Sequence, residues 1–228
     1  MKKVRFSRQI LNAAPSLKVL QIEADVVNSP TSDCLWEEIE SSCDRLVCKY
    51  RLEDIKLRPG IAATRHAYKT LGKEPNRYRP SSEALCRRII NGKGIYRLTT
   101  IIDVINLISI ETGYSIGGFD LDKIEGDSLI LDAGNKEDSF HAIGRGLLNV
   151  ESLPLYRDRI GGIGTPTSDE ERTKLELSTR RLLMLVNIYG EEMDVEKTGI
   201  LIKEKLTKYA SANNYNSRLI VAADYPAD

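Results

Sequence analysis

The pattern of apolar residues changes once along this chain, near Gly113, and that change limits the folds it can adopt. Before Gly113, apolar side chains recur at steps of three and four, as on one face of an α-helix. After it, short apolar runs are separated by glycine-rich turns, as in the strands of a small sheet. Helices that come mostly before strands are typical of an α+β protein, because a regular βαβ protein would alternate them. We therefore predict an α+β fold.

The same patterns give approximate bounds for the individual elements. We predict helices over residues 33–50, 59–72, 79–91, 100–112 and 192–210. We predict strands over residues 17–27, 115–120, 128–132, 139–143, 162–165, 182–188 and 218–224. Ser81 is expected to cap the helix over 79–91, and Thr100 the helix over 100–112, with Asp103 completing a capping box. The helix over 100–112 is apolar on nearly every side, so we expect it deep in the core.

Composition excludes several classes of protein. The 33 Lys and Arg residues balance 33 Asp and Glu residues, so the chain is not expected to coat DNA through its overall charge. Neither G-x-x-x-x-G-K-[ST] nor a strand-linked G-x-G-x-x-G motif is present. The two histidines lie far apart and the four cysteines lack C-x-x-C spacing, so we expect no metal and no cofactor.

No apolar run approaches the ~20 residues of a membrane helix, and no secretory signal follows the N-terminal charges. We therefore expect a cytoplasmic protein with no membrane partner and no DNA partner.

A basic tract over residues 65–97 stands out in this neutral chain, with nine basic residues against two acidic ones and interleaved tyrosines. Basic side chains neutralise phosphates and tyrosines stack on bases, so the tract is a candidate RNA-binding surface. Its candidate contacts are Arg79, Arg87, Arg88, Lys93 and Arg97. The alternative is the solvated face of two helices.

Polar and glycine residues near Gly113 are candidates to line a pocket. Asn106 lies mid-helix among apolar residues, so its amide must either bond a neighbouring backbone group or face a polar cavity. Gly117 and Gly118 permit close backbone approach, either to a substrate or at a bulge or tight strand entry. Thr165 follows a second glycine-rich turn, where its hydroxyl serves either a pocket or a cap.

The run IIDVINLISIETGYSIGGFDLDKIEGD resembles the segment VVDVTNYVxLExGQPxHAFDxDKIxG in the B3/B4 editing module of the bacterial phenylalanyl-tRNA synthetase beta subunit. The preceding RPSSEALCRRI and the form SIGGFDLDKI are closer still to free-standing bacterial B3/B4-domain proteins. The resemblance is specific over about residues 76–133 and diffuse over about 50–190. The matching residues are Asp103, Asn106, Gly113, Phe119, Asp120, Asp122, Lys123, Ile124 and Gly126.

The resemblance implies one B3/B4-like domain over residues 1–228, with helices packed on short, mainly antiparallel sheets and a pocket between two lobes. In the synthetase, that pocket hydrolyses tyrosine wrongly esterified to the phenylalanine tRNA. Ester hydrolysis there needs no side-chain nucleophile, because pocket groups can hold a water while backbone N–H groups stabilise the oxyanion. A complete aminoacyl-tRNA ligase is not implied.

The chain departs from the family at three pocket positions. Ile105 stands where the family has Thr, and Gly117 stands where it has His. Met184 falls near the Glu that recognises the tyrosine hydroxyl. The amino acid that such a pocket accepts is therefore left open by the sequence.

Three functions are compatible with these features, and the third is another small-molecule enzyme built on the same fold, since a fold does not fix a function. The first is an aminoacyl-tRNA deacylase that binds charged tRNA and hydrolyses a wrong ester in trans, with Asn106, Gly117, Gly118 and Thr165 as pocket candidates. The second is a non-catalytic module that holds a free amino acid or a small derivative in the same pocket.

Overall fold

The computed structural model describes residues 1–224, which form six helices and ten strands. The helices are α1 (Arg8–Ala13), α2 (Asp33–Lys49), α3 (Pro59–Thr70), α4 (Ser81–Ile90), α5 (Thr100–Thr112) and α6 (Val195–Ala210). The strands are β1 (Lys3–Phe6), β2 (Lys18–Asp25), β3 (Ser115–Asp120), β4 (Ser128–Ala133), β5 (His141–Ala142), β6 (Gly146–Leu147), β7 (Pro154–Arg157), β8 (Gly162–Gly164), β9 (Arg181–Ile188) and β10 (Asn213–Val221).

Two four-stranded sheets organise these strands. The first has the order β10-β2-β9-β3 and is antiparallel throughout. The second has the order β1-β4-β7-β8, in which only the β1–β4 pair is parallel. The fold is therefore α+β with mainly antiparallel sheets, which confirms the expected fold class.

The first sheet lies between a helical layer and the second sheet. Alternate side chains of β2 and β9, such as Ile22 and Met184, pack with α2, α5 and α6 in one core. The intervening side chains, such as Val19 and Leu183, pack in another core with β1, β4 and Tyr156 of β7. Both faces of β9 are buried, which explains its apolar run over residues 182–186.

The predicted helices all form, and several predicted bounds shift. The last helix begins at Val195 rather than at 192, because the Asp194 carboxylate accepts the Lys197 N–H and caps it there. The last strand runs over Asn213–Val221 rather than 218–224, because it pairs along nearly all of β2. The strand expected over 139–143 is only the two-residue β5, and β1, α1, β6 and β7 were not predicted.

Both predicted helix caps were wrong. Pro80 precedes α4, and the Ser81 N–H instead donates to the Pro166 carbonyl at 2.7 Å. Thr99 is the N-cap of α5, while the Asn28 side-chain oxygen, far away in sequence, accepts the Ile101 N–H at 3.1 Å. Thr100 uses its hydroxyl to bond the Ser29 carbonyl. These caps come from tertiary contacts, which residue spacing along the chain does not reveal.

Asp103 has a role close to the predicted one, although the partners differ. One carboxylate oxygen, Oδ2, accepts the Leu98 N–H at 2.9 Å and the Thr31 hydroxyl. Burial raises the pKa of Asp103, and these hydrogen bonds oppose that rise. Asp103 therefore ties the start of α5 to the segment before α2. Ten residues of α5 are buried, as its apolar sequence predicted.

Within residues 1–224, no helix combines the length and the apolar character needed to cross a membrane.

Candidate functional site

A cavity of about 420 Å³ opens between α4, α5, the end of the sheet at β3 and the turn that follows β8. Its apolar wall includes Leu85, Ile102, Ile105, Ile143 and Leu175. Its polar and charged lining includes Arg88, Asn106, Arg145, Thr165, Asp169 and Lys174. A cavity with a broad apolar wall and a few polar groups is the usual form of a small-ligand site.

Asn106 and Gly118 both line this cavity. Asn106 is partly exposed on α5, whose flanking residues are buried, so its amide faces the cavity. We therefore propose the polar cavity as the environment of this amide, which is one of the two that the sequence left open.

The glycine pair is explained by packing inside the protein. A Cβ on Gly117 would lie 2.7 Å from the Phe119 ring, and a Cβ on Gly118 would lie 2.4 Å from Ile105 Cδ1. The Gly118 N–H donates to Asp169 Oδ2 at 3.2 Å, so it is already engaged. Of the pair, Gly118 rather than Gly117 lines the cavity.

Thr165 lines the cavity, but its hydroxyl is used inside the turn after β8. It accepts the N–H groups of Thr167 and Ser168, each at 3.0 Å, and donates to the Ser168 carbonyl at 3.2 Å. These bonds fold residues 165–168 into a tight turn that returns the chain beside β8.

Asp169 is an acidic cavity residue that the sequence analysis did not identify. The turn places it opposite Gly164 in an antiparallel bridge, and its carboxylate points into the cavity beside Gly118. Burial raises the pKa of Asp169 to about 7, and the hydrogen bond from the Gly118 N–H only partly opposes that rise. A carboxyl group that titrates near neutral pH in a cavity is typical of functional sites.

The missed signal was present in the sequence. Asp169 follows a four-residue turn after a glycine-rich strand, and such a turn brings it back opposite Gly164. In the sequence alone, however, an Asp near Thr, Pro and Ser indicates an ordinary turn.

The basic tract divides into engaged and accessible residues. Arg65 pairs with the buried carboxylate of Glu83, and Lys73 donates to the carbonyls of Asn149 and Glu151. Arg97 donates to the Thr31 carbonyl and pairs with Asp33. These three residues therefore have structural partners.

The remaining candidates lie on and after α4. Arg79 is exposed at the start of the helix and Lys93 is exposed in the loop that follows it. Arg87 is partly exposed and donates to the Leu52 carbonyl at 3.2 Å. Arg88 stacks over the exposed Tyr96 ring at 4.4 Å and also lines the cavity. Arg88 thus joins the basic tract to the cavity.

The three positions that depart from the family lie close together. Ile105 fills the space that a side chain at position 118 would need. Met184 pairs with Gly118 in the register of β3 and β9. Met184 is fully buried in the helix-side core. By the motif resemblance, Ile105 stands where the editing module has a Thr and Met184 lies near the position of its Glu, so apolar side chains would replace a hydroxyl and a carboxylate there.

In the part of the chain that the structure describes, no group of three or more His, Cys, Asp or Glu side chains is arranged to hold a metal ion.

Of the comparisons with known proteins, the family model identifies the domain type. A model of the B3/4 domain family matches residues 63–211, more than half of the chain. The fold is similar to an N-terminal fragment of the phenylalanyl-tRNA synthetase beta-subunit from Pyrococcus horikoshii, with 16% identity and a TM-score of 0.47. The alignment covers 95% of this chain and 50% of that fragment, so the chain spans about half of the fragment's length. No curated protein sequence matches the chain.

Proposed function

Because the chain belongs to the B3/4 domain family, we propose that it is a phenylalanyl-tRNA synthetase beta-like editing domain that hydrolyses a wrong aminoacyl-tRNA ester in trans. The observation that carries this proposal is the cavity itself, which joins Asn106 to Arg88 of the basic tract. Asn106 matches the family's pocket motif, and Arg88 is adjacent in sequence to Arg87 of the basic tract.

In this proposal the aminoacyl group enters the cavity while the terminal ribose and phosphates stay at its basic side. The Asn106 amide holds a water near the ester carbonyl, and the apolar wall excludes other waters. The water oxygen bonds to the carbonyl carbon, and the carbon–oxygen bond to the ribose breaks. The ribose oxygen takes a proton, which leaves a free amino acid and an uncharged tRNA.

The test is deacylation of a panel of charged and mischarged tRNAs by the purified protein. We expect rapid release of one amino acid, and a loss of about tenfold or more with Asn106→Ala, since a positioned hydrogen bond is removed. Asn12→Ala changes an exposed amide on α1 and should leave the rate unchanged. If no tRNA in the panel is deacylated, the editing proposal fails for those substrates.

RNA binding has a separate test. Affinity for tRNA should fall steeply with salt, because each phosphate contact releases counterions. Replacing Arg87, Arg88 and Lys93 by Ala should reduce the salt slope by about two or more. Replacing Lys3, Arg5 and Arg8, which are exposed near the N-terminus, is the matched control. Equal effects of the two triple variants would show that the basic tract is only a solvated surface.

A non-catalytic amino-acid-binding module is the second candidate. One observation favours it: the Gly118 N–H and the Thr165 hydroxyl, which were candidates to contact an ester, both form hydrogen bonds within the protein. This function predicts that a small ligand stabilises the protein without turnover. It also predicts that binding is nearly independent of salt.

A further inference from the structure

Asp169 is the only acidic residue among those that line the cavity, and within residues 1–224 it has no cationic partner. Its Oδ2 accepts the Gly118 N–H at 3.2 Å, while no donor of the described chain bonds its Oδ1. A carboxylate that is partly removed from water normally acquires a cation or several hydrogen bonds. Here the protein supplies one backbone N–H.

Two of the three basic side chains that line the cavity interact with groups other than Asp169. Lys174 pairs with Glu171 at 2.7 Å, and Arg88 lies over the Tyr96 ring. Arg145 is exposed on the short β5–β6 hairpin. Arg88, Arg145 and Lys174 are the charged groups that share the cavity with Asp169, and none of them forms an ion pair with it.

Two glycines make room for the carboxylate. A Cβ on Gly164 would lie 2.7 Å from Asp169 Oδ1, and a Cβ on Gly117 would lie 3.5 Å from the same oxygen. The carboxylate therefore lies against bare backbone, in a place that a side chain at Gly164 would occupy. This packing against Gly164 and Gly117 holds Oδ1 in place. Because no donor of the described chain bonds Oδ1, that oxygen is available to a ligand.

The rest of the cavity determines what such a ligand would be. Beside Asp169 lies the aliphatic wall formed by Leu85, Ile102, Ile105, Ile143 and Leu175. A molecule that fits both the Asp169 carboxylate and the aliphatic wall carries a positively charged hydrogen-bond donor next to a short apolar group. An α-amino-acid residue with a free ammonium group and an aliphatic side chain has this form.

We propose that Asp169 Oδ1 binds the α-ammonium group of the ligand, and that the cavity accepts aliphatic α-aminoacyl groups and rejects N-acylated ones. This inference rests on the proposed function only in taking the ligand to be an aminoacyl group. It assigns to Asp169 a binding and positioning role, and to Ile105 and its apolar neighbours the choice of side chain.

The test compares two small amides, one with a free, positively charged amine and one whose amine is acetylated and therefore neutral. L-Leucinamide carries the free amine, and N-acetyl-L-leucinamide carries the same side chain without the positive charge. We expect L-leucinamide to bind the full chain saturably by calorimetry in about the millimolar range, as suits a ligand of this size. N-Acetyl-L-leucinamide should bind at least about tenfold more weakly, because the charge-assisted hydrogen bond is lost.

Asp169→Asn keeps an acceptor for the Gly118 N–H and removes the charge. We expect it to fold, to bind L-leucinamide at least about tenfold more weakly, and to bind N-acetyl-L-leucinamide as the unaltered protein does. Asp127→Asn, which changes an exposed carboxylate before β4, should bind both amides normally. Equal binding of the two amides, unchanged L-leucinamide binding by Asp169→Asn, or no saturable binding by the unaltered protein would each overturn the proposal.

This experiment uses no tRNA and measures no turnover, so its failure differs from failure of the editing function. Binding of L-leucinamide through Asp169, without deacylation of any tRNA, would support the amino-acid site and refute the deacylase. Deacylation that is indifferent to Asp169→Asn would support the deacylase and refute this inference.

Discussion

Asp169 gives the protein a pH dependence that can be measured without a ligand. Its pKa is about 7 when folded, against 3.8 for the ordinary carboxyl, so the folded state holds this proton more tightly than the unfolded state. The stability that this group contributes is complete below about pH 4 and is lost as the pH rises through about 7.

We expect the Tm of the unaltered protein, relative to that of Asp169→Asn, to fall between about pH 5 and pH 8. The comparison of the two proteins cancels the titration of other groups, and thermal melts across that range provide the measurement. A difference in Tm that stays constant across the range would contradict the burial-raised pKa.

Gly164 is a second residue with a measurable role. Its Cβ would lie 2.6 Å from the Phe119 ring and 2.7 Å from the Asp169 carboxylate, so Gly164→Ala should lower the free energy of unfolding by about 1–3 kcal/mol. Gly161→Ala is the matched control, because nothing lies within 4 Å of the added Cβ. Urea unfolding of both variants tests this, and equal stabilities would show that the strand shifts to make room.

Among the elements, α5 depends most on contacts from elsewhere in the chain. Its C-terminal carbonyls at Ile110 and Glu111 accept hydrogen bonds from the Arg58 guanidinium at 3.0 and 3.3 Å. The same guanidinium pairs with Glu192 at 2.6 Å, and the Glu192 carboxylate also accepts the Gly60 N–H. Arg58 therefore links the end of α5 to the start of α3 and to the segment before α6.

We expect Arg58→Met to lower the free energy of unfolding by about 3–5 kcal/mol, because it leaves the carboxylate of Glu192 and two carbonyls without their buried partner. Arg45→Met removes an ion pair to Glu111 whose arginine is 59% exposed, and should cost less than about 1 kcal/mol. Urea denaturation compares the two, and similar losses would refute a special role for the buried pair.

Each end of the described chain contributes a strand to a different sheet. β1 pairs with β4 in the second sheet, and β10 pairs with β2 in the first. The Ala222 N–H also donates to the Leu17 carbonyl at 2.8 Å. Because neither sheet is made from one continuous part of the chain, we propose that residues 1–228 unfold as one domain.

One cooperative transition is therefore expected. Trp36, the single tryptophan, packs against the helix-side core and reports on that layer, while far-UV circular dichroism reports on helices and sheets together. The two signals should give the same urea midpoint. A tryptophan transition that precedes the loss of ellipticity would show instead that the helical layer and the sheets unfold separately.

Local patterns were enough to find the elements with strong periodicity. The stripe of α2, the apolar sequence of α5 and the apolar run of β9 each depend on neighbours a few residues away, so the sequence predicted them within a few residues. β1 and β7 have only four residues each, which is too short for a period to be recognised.

Asn106 and Gly118, two of the pocket candidates chosen from the sequence, line the cavity. The sequence could not show that the Gly118 N–H donates to Asp169, or that the Thr165 hydroxyl forms its hydrogen bonds within a turn.

The sequence by itself thus determined the α+β class and the family, since both depend on the order of residues along the chain. Only the tertiary structure decided which groups cap α5, which basic residues are engaged, and which carboxylate enters the cavity. Those outcomes depend on pairs such as Asn28 with Ile101 and Asp169 with Gly118, which lie 73 and 51 residues apart. A hydrogen-bond partner that distant is fixed by the packing of whole elements, and no local spacing specifies it.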